Sequence, residues 1–308
     1  LPPSADEAYL KALEETLIDP EILRTHPPKL VYSPVHGTGS VAIIPALKRF
    51  GASPLLVEEQ MAFDGRFPTV KSPNPQNPEA LALGMKKAEA SGVRVVVATD
   101  PDDDRMGAAL RCDDGSWLTL TGNTMGALLA EDRLNAMKEK GLLPKNGHEN
   151  AVLIKTFVTT PLQDAIAAAH GIACINTLTG FKWIGNKLAL YENKLKDALA
   201  KEGLAIDYDN LSATKRRELL LKHARFYVFG GEESYGYLGC DSVRDKDGNA
   251  ATLMLAELLA RRAAKGQGLK EALDELYLKY GAYAEGALSL TFEGASGALK
   301  IKKLLRSY

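Results

Sequence analysis

Three aspartates separated by single residues carry the strongest chemical signal in this sequence. Asp100, Asp102 and Asp104 follow the apolar run 93–98, which is predicted to be a buried strand. In an extended loop alternate residues face the same way, so the three carboxylates can converge on one point. Converging carboxylates repel one another unless a cation lies between them, and Mg²⁺ suits such hard oxygen ligands best. Arg105 follows at once and offers a planar cation to a phosphate oxygen, so the segment indicates metal-assisted phosphoryl chemistry.

Two other interpretations of this loop are weaker. Most aspartate clusters are solvated turns, but the strict alternation, the preceding strand and the adjacent arginine all favour a metal. A calcium-binding EF-hand needs glycine at its sixth position and glutamate at its twelfth. Counted from Asp100, those positions hold Arg105 and Arg111, so an EF-hand is excluded.

Two further loops carry polar residues suited to binding a sugar. Glu232 and Ser234 follow a predicted strand and have glycines on either side. A carboxylate can accept hydrogen bonds from two neighbouring sugar hydroxyls. A polar hairpin is the competing interpretation, which we consider weaker because α/β proteins hold ligands at this end of a strand. Thr179, Gly180 and Lys182 also follow a strand and predict a ligand pocket, although Thr179 could equally cap a helix.

Two segments are ambiguous. Residues 243–248, which include Lys246, are charged and precede a helix, and alone they indicate an ordinary charged helix start. The spacing Gly37-x-Gly39 fits a dinucleotide-binding fingerprint, which would make the protein an NAD-binding oxidoreductase. That fingerprint expects glycine directly after the strand, whereas three residues intervene here, and the neighbouring His36 is weak evidence for catalysis. The oxidoreductase alternative stays open at this point.

The elements that must position these loops alternate along the chain. Strands are predicted at residues 29–33, 53–58, 93–99, 151–155, 172–176 and 226–229, with a hairpin at 108–120. Helices are predicted at 41–50, 78–91, 121–140, 161–169, 181–201, 214–223, 250–264, 269–280 and 296–307, and residues 286–292 fit a further strand. Repeated β-α-β units predict an α/β protein with two consecutive three-layer α/β/α domains and mainly parallel sheets. The polar, turn-rich residues 141–150 divide the chain into domains 1–145 and 146–308.

Bulk composition narrows the partners and the compartment. The 308 residues carry a net charge of −1 with both signs interspersed, so we expect neither nucleic acid nor a membrane surface as a partner. No apolar run can span a bilayer, and the first residues are not a signal peptide. The three cysteines form no zinc or disulfide pattern, which predicts a reducing, cytoplasmic location. The sequence starts without Met, and we expect that both of its ends are cuts.

Taken together, the loops resemble those of the α-D-phosphohexomutase family, the phosphoglucomutases and phosphomannomutases. Residues 100–105 resemble that family's magnesium loop, and residues 231–234 resemble its sugar-binding loop. Residues 179–182 resemble its specificity loop, and residues 245–248 resemble a segment whose lysine contacts substrate or transfers a proton. Order and spacing agree over nearly the whole chain. The residue types of the sugar-binding and lysine segments are more similar to those of phosphoglucomutases and phosphopentomutases than to those of other family members.

The resemblance implies a magnesium-dependent isomerase that interconverts hexose 1-phosphate and hexose 6-phosphate through a hexose bisphosphate. Asp100, Asp102 and Asp104 would hold Mg²⁺ against a phosphoserine. Arg105 would neutralise the transferring phosphoryl group, and Lys246 would contact phosphate or relay a proton.

The same resemblance assigns the sugar contacts and shows what the chain lacks. Glu232 and Ser234 would grip sugar hydroxyls, while Thr179, Gly180 and Lys182 would border the sugar. Family members also have a first domain with the phosphoserine loop and a fourth domain with a phosphate-binding loop, and neither motif occurs here. The chain is thus expected to correspond to the second and third domains and to be inactive alone.

The sequence departs from the family pattern in two places. Asp103 stands where the family commonly has glycine, and its carboxylate is expected to point to solvent or to raise cation affinity. Residues 193–222 look longer than the family's connection. Phosphopentomutase and phosphomannomutase activities remain alternatives, as does a non-catalytic sugar-phosphate-binding module.

Overall fold

The structure contains two β-sheets, each covered by helices. A computed structural model describes residues 3–286 and 290–307. The strands of the first sheet are Val31–Ser33 (β1), Leu55–Leu56 (β2), Val95–Thr99 (β3), Met106–Arg111 (β4) and Trp117–Thr119 (β5). They lie in the order β2-β1-β3-β4-β5. The accompanying helices are Pro3–Leu13 (α1), Pro20–Thr25 (α2), Gly39–Arg49 (α3) and Pro78–Ser91 (α4), with 3₁₀ turns at Glu14–Thr16 and Glu58–Gln60.

The second sheet has four strands. They are Ala151–Thr156 (β6), Ala173–Thr177 (β7), Phe226–Gly231 (β8) and Tyr237–Leu238 (β9), in the order β7-β6-β8-β9. The helices of this half are Gly122–Glu139 (α5), Leu162–Ala169 (α6), Lys182–Lys201 (α7), Ala213–His223 (α8), Gly248–Ala264 (α9) and Leu269–Tyr280 (α10). A last helix, Gly294–Ser307 (α11), follows.

Strand pairing confirms the predicted fold class of two α/β domains whose sheets are mostly parallel. In the first sheet β1 pairs in parallel with β2 and β3, and in the second β6 pairs in parallel with β7 and β8. The antiparallel pairs are β3–β4, β4–β5 and β8–β9. Each sheet therefore has antiparallel strands towards one edge, and two of the candidate loops, residues 100–105 and 231–236, are turns between such strands.

The core shows how the layers are built. In β3, Val95 and Val97 belong to one apolar cluster while Val96 and Ala98 belong to another beneath α4, because alternate strand residues point to opposite faces. The cluster that contains Val97 also contains Leu153 of the second sheet, together with residues of α3, α5 and α9. One continuous core thus runs between the two sheets and holds them together.

Helix ends follow local capping chemistry. Helix α4 has the predicted bounds, because Pro78 occupies its first turn and Gly92 ends it with a left-handed φ of 69°. Helix α5 begins where the hydroxyl of Thr121 accepts a hydrogen bond of 3.1 Å from the Thr124 N–H. The bounds of α10 are also as predicted, residues 269–280.

Some expectations differ from the structure. Helices α1 and α2 were not predicted, and the strand expected at residues 53–58 contracts to the two residues of β2. Of the strand expected at residues 286–292, positions 287–289 lie outside the described residues, and the rest is irregular. No helix within residues 3–286 and 290–307 is both long and apolar enough to cross a bilayer.

Candidate active site

The aspartate loop is the turn of the β3–β4 hairpin. Its backbone is closed by hydrogen bonds from the Asp103 N–H to the Asp100 carbonyl, 3.0 Å, and from the Asp100 N–H to the Arg105 carbonyl, 3.3 Å. Oδ1 of Asp100 accepts further bonds from the N–H groups of Asp104 and Arg105. Asp100, Asp102 and Asp104 can each offer an oxygen, with all of these oxygens within 4.8 Å of one another. The carboxylates converge as predicted, although the backbone that brings them together is a tight turn and not an extended loop.

The electrostatics of the loop suit a divalent cation. Burial raises the pKa of Asp100 to about 7, and the charges of Asp104 and Asp102 add to the rise although a backbone N–H opposes it. Nε of Arg105 lies 3.4 Å from carboxylate oxygens of both Asp100 and Asp104. The donors are hard, anionic oxygens in one place, so they fit Mg²⁺, and Asp100, Asp102 and Asp104 are the residues that would hold it.

Asp103 corrects an expectation. The residue has a φ of 60°, in the left-handed region, which explains why a glycine would be favoured there and why aspartate is tolerated. Its side chain is buried against Tyr32 and Thr99 and does not point to solvent. Burial raises the pKa of its carboxyl to about 8, and the charge of Asp247 adds to the rise. The Asp103 carbonyl accepts a hydrogen bond of 2.9 Å from the Gly248 N–H, which ties the loop to the start of α9.

Lys246 reaches the aspartate loop from the other domain. Its Nζ lies 2.5 Å from Oδ2 of Asp104 and 3.6 Å from Oδ1 of Asp245. Burial lowers the pKa of Lys246, but the hydrogen bond and charge of Asp104 outweigh it and the pKa is raised overall. The next residue, Asp247, caps α9 by accepting from the Ala250 N–H at 3.0 Å. The segment is therefore a charged helix start, as its composition indicates, and it also delivers an ammonium group to the metal loop.

The glutamate–serine loop is the turn of the β8–β9 hairpin. The competing hairpin interpretation is thus correct for the backbone, yet the turn lies beside the metal loop, because the Met106 N–H donates to the Tyr235 carbonyl at 3.1 Å. Oε1 of Glu232 accepts a hydrogen bond of 2.8 Å from the Gly180 N–H. Burial raises the pKa of Glu232, opposed by that N–H and reinforced by the charge of Glu233. Ser234 is half-buried in the same turn.

Thr179, Gly180 and Lys182 have fewer contacts with the other candidate loops. Gly180 has a φ of 112°, which a glycine adopts without strain, and it joins this loop to Glu232. Thr179 is exposed, and α7 has no side-chain cap, so a purely capping role for Thr179 is not what the structure shows. Nζ of Lys182 lies 5.6 Å from the centre of the Trp183 ring. Among the described residues, neither Thr179 nor Lys182 makes a hydrogen bond to the metal loop.

Two threonines that contact the glutamate–serine loop were not predicted from the sequence. Oε2 of Glu233 accepts hydrogen bonds from the hydroxyls of Thr156, at 3.0 Å, and Thr159, at 3.3 Å. Both threonines are buried at the end of β6. The signal available in the sequence was the hydroxyl-rich stretch directly after a predicted strand. Glu233 therefore joins the turn to the end of β6, whereas Glu232 joins it to Gly180.

The glycine loop after β1 serves packing against the metal loop. A Cβ on Gly37 would lie 2.3 Å from Cα of Pro101, and one on Gly39 would lie 2.1 Å from the Tyr32 hydroxyl. Both ring nitrogens of His36 are engaged, with the Ala62 carbonyl and the Thr69 hydroxyl. The absence of side chains at these glycines is explained by the neighbouring loop, so the dinucleotide interpretation loses its basis.

Fold and site together define a protein class. The description phosphoglucomutase/phosphomannomutase, α/β/α domain II, matches residues 7–114, and the corresponding domain III matches residues 121–198 and 217–280. The chain belongs to the α-D-phosphohexomutase family. The matched ranges contain the aspartate loop in the first domain, and residues 179–182, 231–234 and 245–248 in the second.

Similar proteins agree with this membership. The chain is 31% identical over 307 residues to a phosphopentomutase of Pongo abelii, covering 99% of this chain and 45% of that protein. It is 33% identical over 275 residues to a glucose 1,6-bisphosphate synthase of Homo sapiens, covering 89% and 39%. Its fold matches a phosphoglucomutase/phosphomannomutase family protein of Burkholderia thailandensis with a TM-score of 0.54, at 20% identity and covering 84% and 46%. The chain thus spans less than half the length of these relatives.

Proposed function

We propose that this chain supplies the metal-binding and sugar-binding loops of a magnesium-dependent sugar-phosphate mutase. The observation that supports this most directly is the 2.5 Å ion pair between Asp104 of the metal loop and Lys246 of the other domain. Phosphoryl transfer requires cationic groups around the transferring phosphate, and here a metal loop, an arginine and a lysine meet at one place.

The proposed reaction interconverts hexose 1-phosphate and hexose 6-phosphate. A phosphoserine outside this sequence donates its phosphoryl group to give a hexose bisphosphate, which then returns its other phosphoryl group to the serine. Bound Mg²⁺ would withdraw charge from the transferring phosphoryl group. Asp100, Asp102 and Asp104 hold the ion, Arg105 lies beside them to neutralise phosphoryl oxygens, and Lys246 contacts phosphate or relays a proton.

The sugar would lie between the β8–β9 turn and the loop that precedes α7. Glu232 and Ser234 bind sugar hydroxyls in either orientation, because both phosphate-bearing ends must reach the same donor. Gly180, held by Glu232, and its neighbours Thr179 and Lys182 border the sugar. The proposal takes the first and fourth domains of the family from polypeptide outside this sequence, and it places the protein in the cytoplasm.

A pentose phosphate is the second candidate substrate. Phosphopentomutase relatives at 31% and 34% identity favour it. The ratio of kcat/KM values for glucose 1-phosphate and ribose 1-phosphate, measured on the complete protein, distinguishes the two.

The domain division at residue 145 stays a prediction. Limited proteolysis tests it, since cleavage within 141–150 would support it. Helix α5 packs against α6 and β8 of the second half. Cleavage between β5 and α5 would therefore indicate that α5 belongs to the second domain and that the boundary lies before it.

Metal binding and activity are tested separately. Titration calorimetry of the 308-residue chain with MgCl₂ should give one site, and Asp102→Ala should weaken it at least tenfold because one of three ligands is lost. The matched control Asp197→Ala, on the exposed face of α7, should bind as wild type. In the complete protein, Asp102→Ala should abolish Mg²⁺-dependent turnover, and full retained activity would refute the metal assignment. The isolated chain should not interconvert glucose phosphates, and measurable turnover would contradict that part of the proposal.

A further inference from the structure

The second domain contains an insertion that the family description does not match. Residues 199–216 fall between the two matched parts of domain III, and they comprise the end of α7, a loop and the start of α8. Most of the loop is exposed, but Tyr208 is only 4% exposed and Arg216 only 7%. Two polar residues of a surface insertion are thus buried in the body of the domain.

Tyr208 contacts three charged side chains. Its hydroxyl donates a hydrogen bond to the carboxylate of Asp241. Two guanidinium groups lie over its ring, that of Arg216 at 5.5 Å and that of Arg244 at 5.9 Å from the ring centre. Cations over the face of an aromatic ring are attracted to it, and the attraction is stronger where water is excluded.

The ion pairs of the two arginines extend these contacts. Nε of Arg216 lies 3.2 Å from Oδ1 of Asp241, and another of its nitrogens pairs with Glu15. Arg244 pairs with Glu192 of α7. The insertion therefore holds both Asp241 and Arg244 in place.

Asp241 and Arg244 belong to the segment 239–247, which joins β9 to α9 and contains no helix or strand. An irregular segment depends on side-chain contacts for its shape, because no regular backbone ladder holds it. Its far end carries Lys246, bound to Asp104, and Asp247, which accepts from the Tyr9 hydroxyl at 2.8 Å. The segment is thus contacted by the insertion at Asp241 and Arg244 and by the aspartate loop at Lys246, while Gly239 at its start accepts a hydrogen bond of 2.6 Å from Arg133.

We propose that Tyr208 is a positioning residue that holds segment 239–247 so that Lys246 stays at the metal loop. The inference extends the proposed function, in which Lys246 contacts phosphate. According to this inference, the insertion stabilises the position of residues 239–247 and affects the site through them, without contacting the substrate.

The test compares three variants of the 308-residue chain. Tyr208→Leu removes both the phenol and the ring face, Tyr208→Phe removes only the bond to Asp241, and Asn210→Ala is a matched control at an exposed position of the same loop. Hydrogen–deuterium exchange reports on the backbone of residues 239–247, and the rate of Lys246 acetylation by an N-hydroxysuccinimide ester, relative to the exposed Lys265, reports on the lysine.

In Tyr208→Leu, exchange in residues 239–247 should be roughly tenfold faster, since a charge-assisted hydrogen bond and two cation–π contacts are lost. Lys246 acetylation should rise severalfold, Tyr208→Phe should fall between wild type and Tyr208→Leu, and Asn210→Ala should match wild type. Unchanged Lys246 acetylation in Tyr208→Leu would overturn the inference. Faster exchange spread equally over β1 and β6 would overturn it too, because it would show only a loss of global stability.

None of these measurements uses turnover. The result therefore stands or falls independently of whether the complete protein is a mutase.

Discussion

Binding of Mg²⁺ to the aspartate loop should strengthen as the pH rises through neutrality. Asp100 is 4% exposed, and burial, assisted by the charges of Asp104 and Asp102, raises its pKa to about 7. A carboxylate must be ionised to bind a metal, so binding displaces the proton wherever Asp100 carries one. The pH dependence of binding therefore reports directly on the burial of this side chain.

The magnitude follows from the pKa. About one Asp100 in eleven is ionised at pH 6 and about ten in eleven at pH 8, so the apparent affinity should rise roughly tenfold between them. Stability of the metal-free protein has the opposite sign. The folded-state pKa is raised above the unfolded value of 3.8, so the contribution of Asp100 is fully present below that value and is lost as the pH rises through about 7.

Titration calorimetry with MgCl₂ at pH 6, 7 and 8, in two buffers of different ionisation enthalpy, measures both the affinity and the protons released. Nearly one proton should leave at pH 6 and almost none at pH 8. Asp102→Asn should bind more weakly and shift the midpoint to lower pH, because the charge of Asp102 helps to raise the pKa of Asp100. The exposed Asp197→Asn should behave as wild type. An affinity that is constant from pH 6 to pH 8, with no buffer dependence, would refute the reasoning.

Two further predictions concern stability, measured by urea unfolding. Gly39→Ala should cost about 1–3 kcal/mol, because its Cβ would lie 2.1 Å from the Tyr32 hydroxyl, whereas Gly65→Ala, with open space around it, should stay within about 0.5 kcal/mol of wild type. Glu131 is buried, which raises its pKa, but hydrogen bonds from His170 and from two residues of α10 outweigh burial and lower the pKa to about 2. Its contribution is present above the unfolded value of 4.5 and is lost as the pH falls towards 2, so Glu131→Gln should cost about 2–4 kcal/mol at pH 7 and little near pH 2. Equal losses for the two glycine variants, or a pH-independent loss for Glu131→Gln, would contradict these assignments.

Local chemistry made much of the fold predictable. Helix α4 has the predicted bounds because a proline begins it and a left-handed glycine ends it. The apolar run before Asp100 forms the buried strand β3, as predicted. Its β-branched residues are typical of a strand that is covered on both faces. Helix α1 was not predicted, and in the structure it packs on α3, so that tertiary contacts contribute to its stability.

The site was predictable only within each loop. Asp100, Asp102 and Asp104 come together within one short hairpin turn, so their convergence depends on local geometry. The inward turn of Asp103 depends on a positive φ and on Tyr32, which lies 71 positions earlier in the sequence. The pairing of Lys246 with Asp104 spans the two domains, and without a family resemblance no sequence pattern indicates it. Residue types indicate the possible chemistry of a site, whereas contacts between distant segments determine which side-chain atoms come together.

Besides the ion pair between Lys246 and Asp104, two backbone hydrogen bonds join the candidate loops across the domains. The Met106 N–H donates to the Tyr235 carbonyl, and the Gly248 N–H donates to the Asp103 carbonyl. Backbone groups are the same whatever the side chain, so these contacts set the relative position of the loops without constraining their chemistry. At Asp103 the side chain can therefore change the charge and burial beside the aspartate loop without affecting the hydrogen bond that its carbonyl accepts. This division explains how one architecture accommodates an aspartate where a left-handed glycine is expected and still brings the carboxylates of the loop together.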